Sequence, residues 1–449
     1  MENTLEKKYG LLTAIAMVIG IVIGSGVFFK AEKILVATGG DLPLGILAWS
    51  IGGIIMITCA YVFATMATRY EKVNGIVDYA EAALGNKYAY FVGWFMAAIY
   101  YPTLTAVLAW VTARYTCVLL GWNIVGAEAM ALSGFFLVLS YAMNALSPKL
   151  AGKFQVSTTI IKLIPLALMA IVGTIFGLKS GVLVSNFTSG VIADTTSNPL
   201  FTAVVATAFA YEGWIIATSI NAELKDAKKN LPRALTFGTM FVALIYILYY
   251  TGLAGAVENS VVMQGGEEGA KIAFSNVFSN VGGTVLFVFV VISCMGTLNG
   301  LMIGCTRGFY SLAARDMGPE PKVFKSIDVN TNMPTNSAIL GLLLSGVWLV
   351  YFFGANLTPV AWFGPLSFDS SELPIVTIYA MYIPIFAMMM VKEQSLNFFR
   401  RILMPSLAIC ACIFMVIAAL YAHGMAVLFY LIIFSVIMAI GMIINYKKK

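Results

Sequence analysis

The sequence predicts an all-α integral membrane protein with twelve transmembrane helices, and three observations lead to this prediction. Of the 449 residues, 60% are hydrophobic and only 11% are charged. The mean hydropathy is +0.90. Soluble domains are about 45–50% apolar and about 25% charged, so the chain lacks the polar surface of a water-soluble globule. Finally, the apolar residues form runs of about 20 or more, the length that crosses a bilayer core of about 30 Å.

Polar loops divide the apolar residues into twelve candidate spans. We number them 1 to 12 in chain order: 11–36, 44–70, 90–120, 126–147, 154–178, 198–221, 234–256, 283–313, 335–354, 371–391, 402–422 and 424–445. Residues 71–87, between spans 2 and 3, mix apolar and charged side chains and are expected to form an interfacial helix. Residues 316–332, after span 8, are similarly mixed.

The distribution of Lys and Arg predicts the orientation. If the N-terminus is cytoplasmic, 21 of the 27 Lys and Arg residues fall in inward loops and tails. The outward side holds only four of them: Lys30, Lys33, Lys179 and Lys271. This positive-inside bias predicts a multi-pass protein of the cell membrane with both termini in the cytoplasm. It also explains the net charge of +6, so nucleic acid is not an expected partner.

Residue counts argue against several other activities. The single histidine, His423, cannot build a His-pair metal site, and the sequence contains no HExxH motif and no GxxxxGK phosphate loop. The six cysteines lie in apolar runs, which indicates packing rather than disulfides or zinc. An enzyme would need a nucleophile with a base, and a channel would need a continuous polar ring; neither is visible. We therefore expect no enzymatic activity, no metal and no cofactor.

Two spans contain interruptions. In span 1, Gly24 and Gly26 flank Ser25 midway along the run, and each glycine weakens a helix by about 1 kcal/mol relative to alanine. Gly20 and Gly24 would equally suit close helix packing. In span 6, Glu212 lies beside a glycine at the centre of an apolar run, where an ionisable residue usually faces a cavity. Two interruptions five spans apart indicate corresponding positions of two repeats.

Unwound backbone inside a bilayer needs a polar partner, and a zwitterion can be that partner. The second half of span 1 begins with the N–H groups of Ser25, Gly26 and Val27, which suit an α-carboxylate. Acceptors for an α-ammonium are the carbonyls that end the first halves of spans 1 and 6: Val22, Ile23, Phe209 and Ala210. This chemistry predicts an amino acid or a similar small solute.

Lys162 is the other charged residue near the membrane midplane. It lies nine residues beyond Lys153, which at about 1.5 Å per residue places it roughly 14 Å deep. One interpretation is a fixed ammonium that donates three hydrogen bonds to free carbonyls of span 1, in the role that a sodium ion would have in an ion-coupled transporter. Snorkelling to the interface and a structural ion pair with Glu212 are the alternatives.

Four short strings carry a resemblance to a known family: IGSGVF at 23–28, FAYEGW at 209–214, NLPR at 230–233 and SCMGTLNG at 293–300. Together, in this order, they resemble the L-amino acid transporter family of the amino acid, polyamine and organocation superfamily. The resemblance implies an inverted five-plus-five repeat with broken helices 1 and 6. The repeats would cover residues 1–178 and 198–391, and two extra helices would follow in 400–449. It also implies sodium-independent alternating access.

The resemblance assigns roles to individual residues. Ser25 and Gly26 would bind the substrate carboxylate, and the carbonyls of Val22 or Ile23 and of Phe209 would bind the amine. Phe209 would also be the outer gate. Three further residues would act in gating or coupling: Lys162 on span 5, Tyr246 on span 7 near helix 1, and Ser293 on span 8. Ser293 and its neighbour Asn299 are equally candidates for hydrogen bonds between helices.

The predicted function is the sodium-independent exchange of L-amino acids, in particular small neutral ones such as alanine, serine and cysteine. Glu212 occupies a position that is often small in relatives, where an acid would bind a cationic substrate side chain or carry a proton. Proton-coupled uptake through Glu212 and a non-transporting amino acid sensor are the alternatives. Residues 121–127, between spans 3 and 4, contain no cysteine. We therefore expect no disulfide-linked heavy subunit, as in the free-standing bacterial exchangers that the chain resembles.

Overall fold

The computed structural model describes residues 10–70 and 75–446, leaving aside the side chains of Pro148, residues 219–223 and Tyr446. All regular structure in these ranges is helical. Eleven helices are long and apolar enough to cross a membrane, and one pair bent by 40° completes a twelfth span. The predicted all-α fold with twelve spans is therefore confirmed. The expectations for residues 1–9, 71–74 and 447–449, which include six of the inward lysines and part of the interfacial helix, lie outside the described residues.

Each predicted span corresponds to one helix or one broken pair. In chain order these are Leu11–Val22 and Ser25–Ala37 (spans 1a and 1b), Leu42–Ala67, Asn86–Leu120, Ala127–Leu146, Lys149–Ser180, Pro199–Ala210 with the 3-10 helix Trp214–Glu223 (span 6), Ala227–Ala256, Glu267–Ala313, Thr335–Asn356, Leu373–Lys392, Phe399–His423 and Met425–Tyr446. Shorter helices cover Ile76–Leu84, Val182–Thr188, Asn259–Gly265 and Pro321–Phe324.

The largest difference from the predicted boundaries is in span 8. Its helix begins at Glu267, well before the apolar run 283–313, and it kinks at Ser279, where φ is +65°. The added segment carries Glu267, Glu268 and Lys271, so hydropathy alone does not reveal it. Spans 3 and 5 likewise begin a few residues earlier than predicted, at polar residues.

The broken spans lie at the centre of the molecule. Span 1b lies against the first half of span 6, and span 1a contacts spans 5, 7 and 8. Within the most apolar windows, 83% of span 6 and 89% of span 3 is buried, compared with 17% of span 12. A site built on spans 1, 3 and 6 is therefore shielded from lipid by the surrounding helices.

The helix Ile76–Leu84 differs from the interfacial helix expected for residues 71–87. Ile76, Val77 and Tyr79 are buried by protein, and the ring of Tyr79 lies 5.5 Å from that of Phe63 on span 2. Its apolar face is thus covered by other helices rather than left for lipid. Asp78 on this helix forms an ion pair with Arg315, which follows span 8.

Small residues allow spans 5 and 7 to approach closely. A Cβ added at Gly252 on span 7 would lie 2.1 Å from the carbonyl oxygen of Met169 on span 5. One added at Gly177 would lie 2.3 Å from the Cα of Gly255. Because lipid chains are as apolar as the helices, such close van der Waals packing is a main source of association between membrane helices.

We predict that Gly252→Ala destabilises the protein by about 1–3 kcal/mol, because the new methyl group meets backbone that has no room to move. The measurement is the thermal unfolding midpoint in detergent. Gly346→Ala on span 9 is the matched control, since nothing lies within 4 Å of its added Cβ. An equal effect of the two substitutions would contradict the proposed packing.

Candidate functional site

The break in span 1 lies where the sequence predicts it. Span 1a ends at Val22, span 1b begins at Ser25, and the backbone of Ile23 and Gly24 between them is not helical. The neighbouring span 8 requires the glycine, because a Cβ at Gly24 would lie 1.9 Å from the hydroxyl oxygen of Thr297. The helix is therefore interrupted at a point where another span approaches its backbone.

Span 6 is broken at the corresponding place. Its first helix ends at Ala210, a turn covers Tyr211 to Gly213, and a 3-10 helix follows from Trp214. Gly213 has a φ of +103°, which strongly favours a residue without a side chain. Glu212 thus lies in the turn itself, with its backbone outside any regular helix.

The two breaks face each other. A Cβ at Gly26 would lie 2.5 Å from the Cα of Ala210, so span 1b and the first half of span 6 are in backbone contact. A Cβ at Gly213 would lie 3.0 Å from the side chain of Ile21. Glycine on each span therefore allows the other span to approach, and the free backbone groups of both breaks are brought together.

A small cavity of about 20 Å³ lies at this junction. Spans 1, 3, 6 and 8 contribute its lining residues: Ile21, Val22, Ser25, Gly26, Leu104, Leu108, Phe209, Glu212, Gly213, Thr297 and Leu301. The polar groups come mainly from spans 1 and 6, whereas spans 3 and 8 contribute mostly leucine. The cavity therefore has one polar side and one apolar side.

Five of the eight predicted binding residues line the cavity: Val22, Ser25, Gly26, Phe209 and Glu212. The other three, Ile23, Val27 and Ala210, are buried beside it without lining it. Ser293 is also buried and lies outside the lining. The ligand contacts of all these residues stay predictions.

Sequence reasoning missed the contribution of spans 3 and 8. Leu104 and Leu108 are four residues apart on one face of span 3, a pattern that equally indicates ordinary packing. Thr297 lies within the string SCMGTLNG, but the sequence does not distinguish it from a hydroxyl that bonds within its own helix. The only available signal was that Thr297 lies between Ser293 and Asn299 in an otherwise apolar span.

The start of span 1b is suited to an anion. Its 13 residues form a regular helix whose first N–H groups have no partner in a preceding turn, and these groups carry partial positive charge. The hydroxyl oxygen of Ser25 is fully buried and has no hydrogen-bond partner among the described atoms. A carboxylate bound here would supply an acceptor to both the backbone and this hydroxyl.

The carbonyls at the break in span 1 already accept hydrogen bonds from side chains. The Tyr246 hydroxyl donates to the Val22 carbonyl at 2.9 Å, and the Thr297 hydroxyl donates to the Ile23 carbonyl at 3.2 Å. A carbonyl oxygen has two lone pairs, so each can accept a second donor such as an ammonium. The hydroxyl of Tyr246 therefore lies against span 1 at the predicted amine-binding carbonyls.

Lys162 is fully buried, which rules out snorkelling. Its Nζ donates to the Gly20 carbonyl at 2.6 Å and to the Thr297 hydroxyl at 3.3 Å. The expectation of three hydrogen bonds to carbonyls of span 1 is therefore wrong. The partners are one carbonyl of span 1 and one hydroxyl of span 8. The ammonium still joins spans 1, 5 and 8 at the break.

Glu212 does not pair with Lys162. Its Oε1 accepts a hydrogen bond from the Tyr100 hydroxyl, and its Oε2 is buried without a hydrogen-bond partner among the described atoms. Tyr100 ends a π-helical turn, Met96–Tyr100, in span 3, and such turns often occur at functional sites. A π-turn in an apolar run leaves no mark in the sequence, so Tyr100 could not be predicted.

Beyond Phe209 a group of charged residues closes one end of the site. Lys30 is fully buried, with its Nζ 2.5 Å from Glu372 at the start of span 10 and 5.1 Å from the centre of the Phe209 ring. His423 on span 11 contacts the second oxygen of Glu372 at 3.0 Å. Lys30 lies within span 1b, and its ammonium is held inside the protein by an acid from another span. Its expected place on the outward side stays a prediction.

No group of three or more His, Cys, Asp or Glu side chains in residues 10–70 and 75–446 is placed to hold a metal ion. The polar groups at the cavity are backbone N–H and carbonyl groups, the hydroxyls of Ser25 and Thr297, and the carboxylate of Glu212.

Comparison with known proteins shows that the chain is similar to amino acid transporters. The chain is 29% identical to the serine/threonine exchanger SteT of Bacillus subtilis (strain 168), over 88% of this chain and 85% of that protein. It is 26% identical to the b(0,+)-type amino acid transporter 1 of Mus musculus, over 78% and 71%. The crystal structure of MhsT in complex with L-phenylalanine has the same fold, with a TM-score of 0.59 at 13% identity, over 93% of this chain and 99% of that one.

These matches confirm the family resemblance seen in the motifs and the expectation that the chain is not an enzyme. The family model described as amino acid permease matches residues 9–444, which is nearly the entire sequence. The chain therefore belongs to the amino acid permease family.

Proposed function

We propose that this protein is a sodium-independent exchanger of small neutral L-amino acids such as alanine, serine and cysteine. It acts by alternating access in the cell membrane, with both termini in the cytoplasm. The observation that carries the proposal is the meeting of two broken spans around one buried cavity. Membership of the amino acid permease family and the similarity to a serine/threonine exchanger support it.

The proposed substrate lies with its carboxylate at the start of span 1b and its ammonium at the carbonyls of Val22 and Phe209. The N-terminus of a helix attracts anions, and carbonyls accept hydrogen bonds from an ammonium. The carboxylate and the ammonium of an amino acid are attached to the same carbon. An amino acid therefore binds the N–H groups and the carbonyls at the break at the same time. A solute with only one charged group would leave one end unsatisfied.

The side chain of the substrate would extend towards spans 3 and 8. Leu104, Leu108 and Leu301 are branched side chains that limit the space on this side of the cavity. The unpartnered Oε2 of Glu212 is an acceptor for a hydroxyl or thiol. This lining favours small side chains, including those with one polar hydrogen, as in serine and cysteine.

Sodium independence is proposed from the position of Lys162. Its ammonium lies 2.6 Å from the Gly20 carbonyl and contacts the Thr297 hydroxyl, which are oxygen ligands of the kind that a sodium ion uses. A second cation at these oxygens would be repelled by the ammonium at close range in a medium of low dielectric. The fixed charge therefore takes the place of the ion.

Proton-coupled uptake is a second candidate, and one observation favours it. Glu212 is a carboxylate at a helix break in the cavity, and one of its oxygens has no hydrogen-bond partner among the described atoms. Such an oxygen can bind a proton during the transport cycle. A sensor that does not transport is not favoured by any feature of the cavity.

We also propose that the protein acts without a disulfide-linked heavy subunit. The connection between spans 3 and 4, residues 121–127, contains no cysteine. The six cysteines are all free, and Cys410 on span 11 is the exposed one.

The first test is counterflow in proteoliposomes loaded with one unlabelled amino acid at a time. We expect labelled serine, alanine or cysteine to enter only when a substrate is present inside, at the same rate with sodium or choline as the cation. An imposed pH gradient should drive no accumulation. Accumulation in empty liposomes under a pH gradient, lost in Glu212→Gln while exchange is kept, would instead establish proton coupling.

The second test concerns the carboxylate site. Gly26→Ala places a methyl group 2.5 Å from the Cα of Ala210, so spans 1b and 6 must separate and the backbone site must distort. Overpacking costs about 1–3 kcal/mol, so we expect the dissociation constant for serine to rise by at least about fivefold. Gly346→Ala on span 9 is the control. Unchanged affinity of purified Gly26→Ala would remove the carboxylate assignment.

The third test concerns Lys162. Removing a charged hydrogen-bond donor costs about 1.5–3 kcal/mol, so we expect Lys162→Ala to slow maximal exchange about tenfold or more. Substrate affinity should change far less, because the ammonium lies against span 1a rather than in the cavity lining. Lys179→Ala, at the exposed end of the same span, is the matched control. Normal turnover in Lys162→Ala would count against the coupling role.

A further inference from the structure

Next to Lys162, a chain of three buried amides joins four spans. Asn144 on span 4 donates from Nδ2 to Oδ1 of Asn299 on span 8 at 2.9 Å. Asn299 donates from Nδ2 to Oε1 of Gln155 on span 5 at 3.2 Å. Gln155 donates from Nε2 to the carbonyl of Gly20 on span 1a at 3.3 Å.

The direction of each amide is set by the ends of the chain. At one end the Gly20 carbonyl can only accept, so Gln155 must present its nitrogen to span 1a. At the other end Asn144 also donates from Nδ2 to the Ser140 carbonyl at 2.9 Å. This carbonyl can only accept, so it fixes which end of the Asn144 amide is the nitrogen. All three side chains are at most 5% exposed, so each bond is formed out of contact with water.

Gln155 and Lys162 act on the same atom. They are seven residues apart, almost two full turns, so they project from one face of span 5. The Gly20 carbonyl accepts from Lys162 at 2.6 Å and from Gln155 at 3.3 Å, which uses both of its lone pairs. Span 1a is therefore bonded to span 5 by a charged donor and a neutral donor at a single oxygen.

The close packing around Gly20 means that its hydrogen bonds to span 5 cannot survive a separation of the two spans. A Cβ at Gly20 would lie 2.1 Å from the hydroxyl oxygen of Thr159, the span 5 residue four positions after Gln155. A Cβ at Gly296 on span 8 would lie 2.5 Å from that of Thr158. Spans 1a, 5 and 8 are thus in close contact here, and moving span 1a away breaks both bonds to Gly20.

We infer that Gln155 is a positioning residue that controls how readily span 1a separates from spans 5 and 8. It acts through the Gly20 carbonyl, which also binds Lys162. Asn299 and Asn144 orient its amide. This role rests on the proposed function in that the movement it controls is the conformational step of alternating access. Gln155 is outside the cavity lining, so it acts on this step and not on substrate contacts.

The experiment compares Gln155→Met with Ile160→Met, which places the same side chain on the exposed face of the same span. Hydrogen–deuterium exchange by mass spectrometry is measured on the full-length protein in detergent, without substrate. We expect Gln155→Met to raise the exchange of amides in Leu11–Val22 by about threefold to tenfold, in line with loss of one neutral hydrogen bond. Amides of span 9 should be unaffected, and Ile160→Met should match the wild type.

A double-mutant cycle of Gln155→Met with Lys162→Met tests whether the two residues share one acceptor. The maximal exchange rate in proteoliposomes should fall about threefold to tenfold in Gln155→Met, with little change in the dissociation constant. In the double variant the effects should not multiply, because residues that share a partner are coupled. Independent, multiplying effects or an unchanged exchange of span 1a amides would overturn the inference.

Gln155→Asn provides a second variant if Gln155→Met does not fold. It keeps the amide but shortens the side chain by one methylene, so the nitrogen no longer reaches Gly20 while the buried site stays polar. The same selective rise in deuterium uptake is expected, and its absence would overturn the inference. Because this measurement requires no transport, it remains decisive even if the proteoliposomes show no amino acid exchange and the proposed function fails.

Discussion

The structure depends on one constraint: backbone groups released from a helix inside a bilayer must find other partners. In span 1 the carbonyls of Gly20, Val22 and Ile23 each accept a hydrogen bond from a side chain, and the donors come from spans 5, 7 and 8, respectively. Three neighbouring helices thus replace the missing hydrogen-bond ladder. Any movement of span 1a must exchange these bonds for others, which links the stability of the break to the transport cycle.

Glycine makes this arrangement possible in two ways at once. Gly20 and Gly24 give the expected small-residue face, and Thr159 and Thr297 lie against them at distances that no side chain would permit. The same absence of side chains weakens the helix where it must unwind. Close packing and interruption, the two interpretations of the glycines in span 1, therefore both apply at Gly24.

The backbone part of the site could be predicted because glycines and charged residues stand out in an apolar run. The apolar part could not, because Leu104 and Leu108 have the same composition and spacing as core residues on any span. The predicted contact set also included Val27 and Ala210, which neighbour the breaks in sequence but lie outside the cavity lining. Proximity along the chain therefore identified the region of the site but not which side chains enter it.

The number of spans and the two breaks follow from the sequence, because hydrophobic length and local interruptions are properties of short segments. The partners of the buried charges were decided by the tertiary structure. Lys162 bonds to Gly20, 142 positions away, and Glu212 bonds to Tyr100, 112 positions away, whereas the sequence allowed the two charges to pair with each other. The rotation of each helix about its axis selects these partners, and in spans that are apolar on every side only packing against the neighbouring helices sets that rotation.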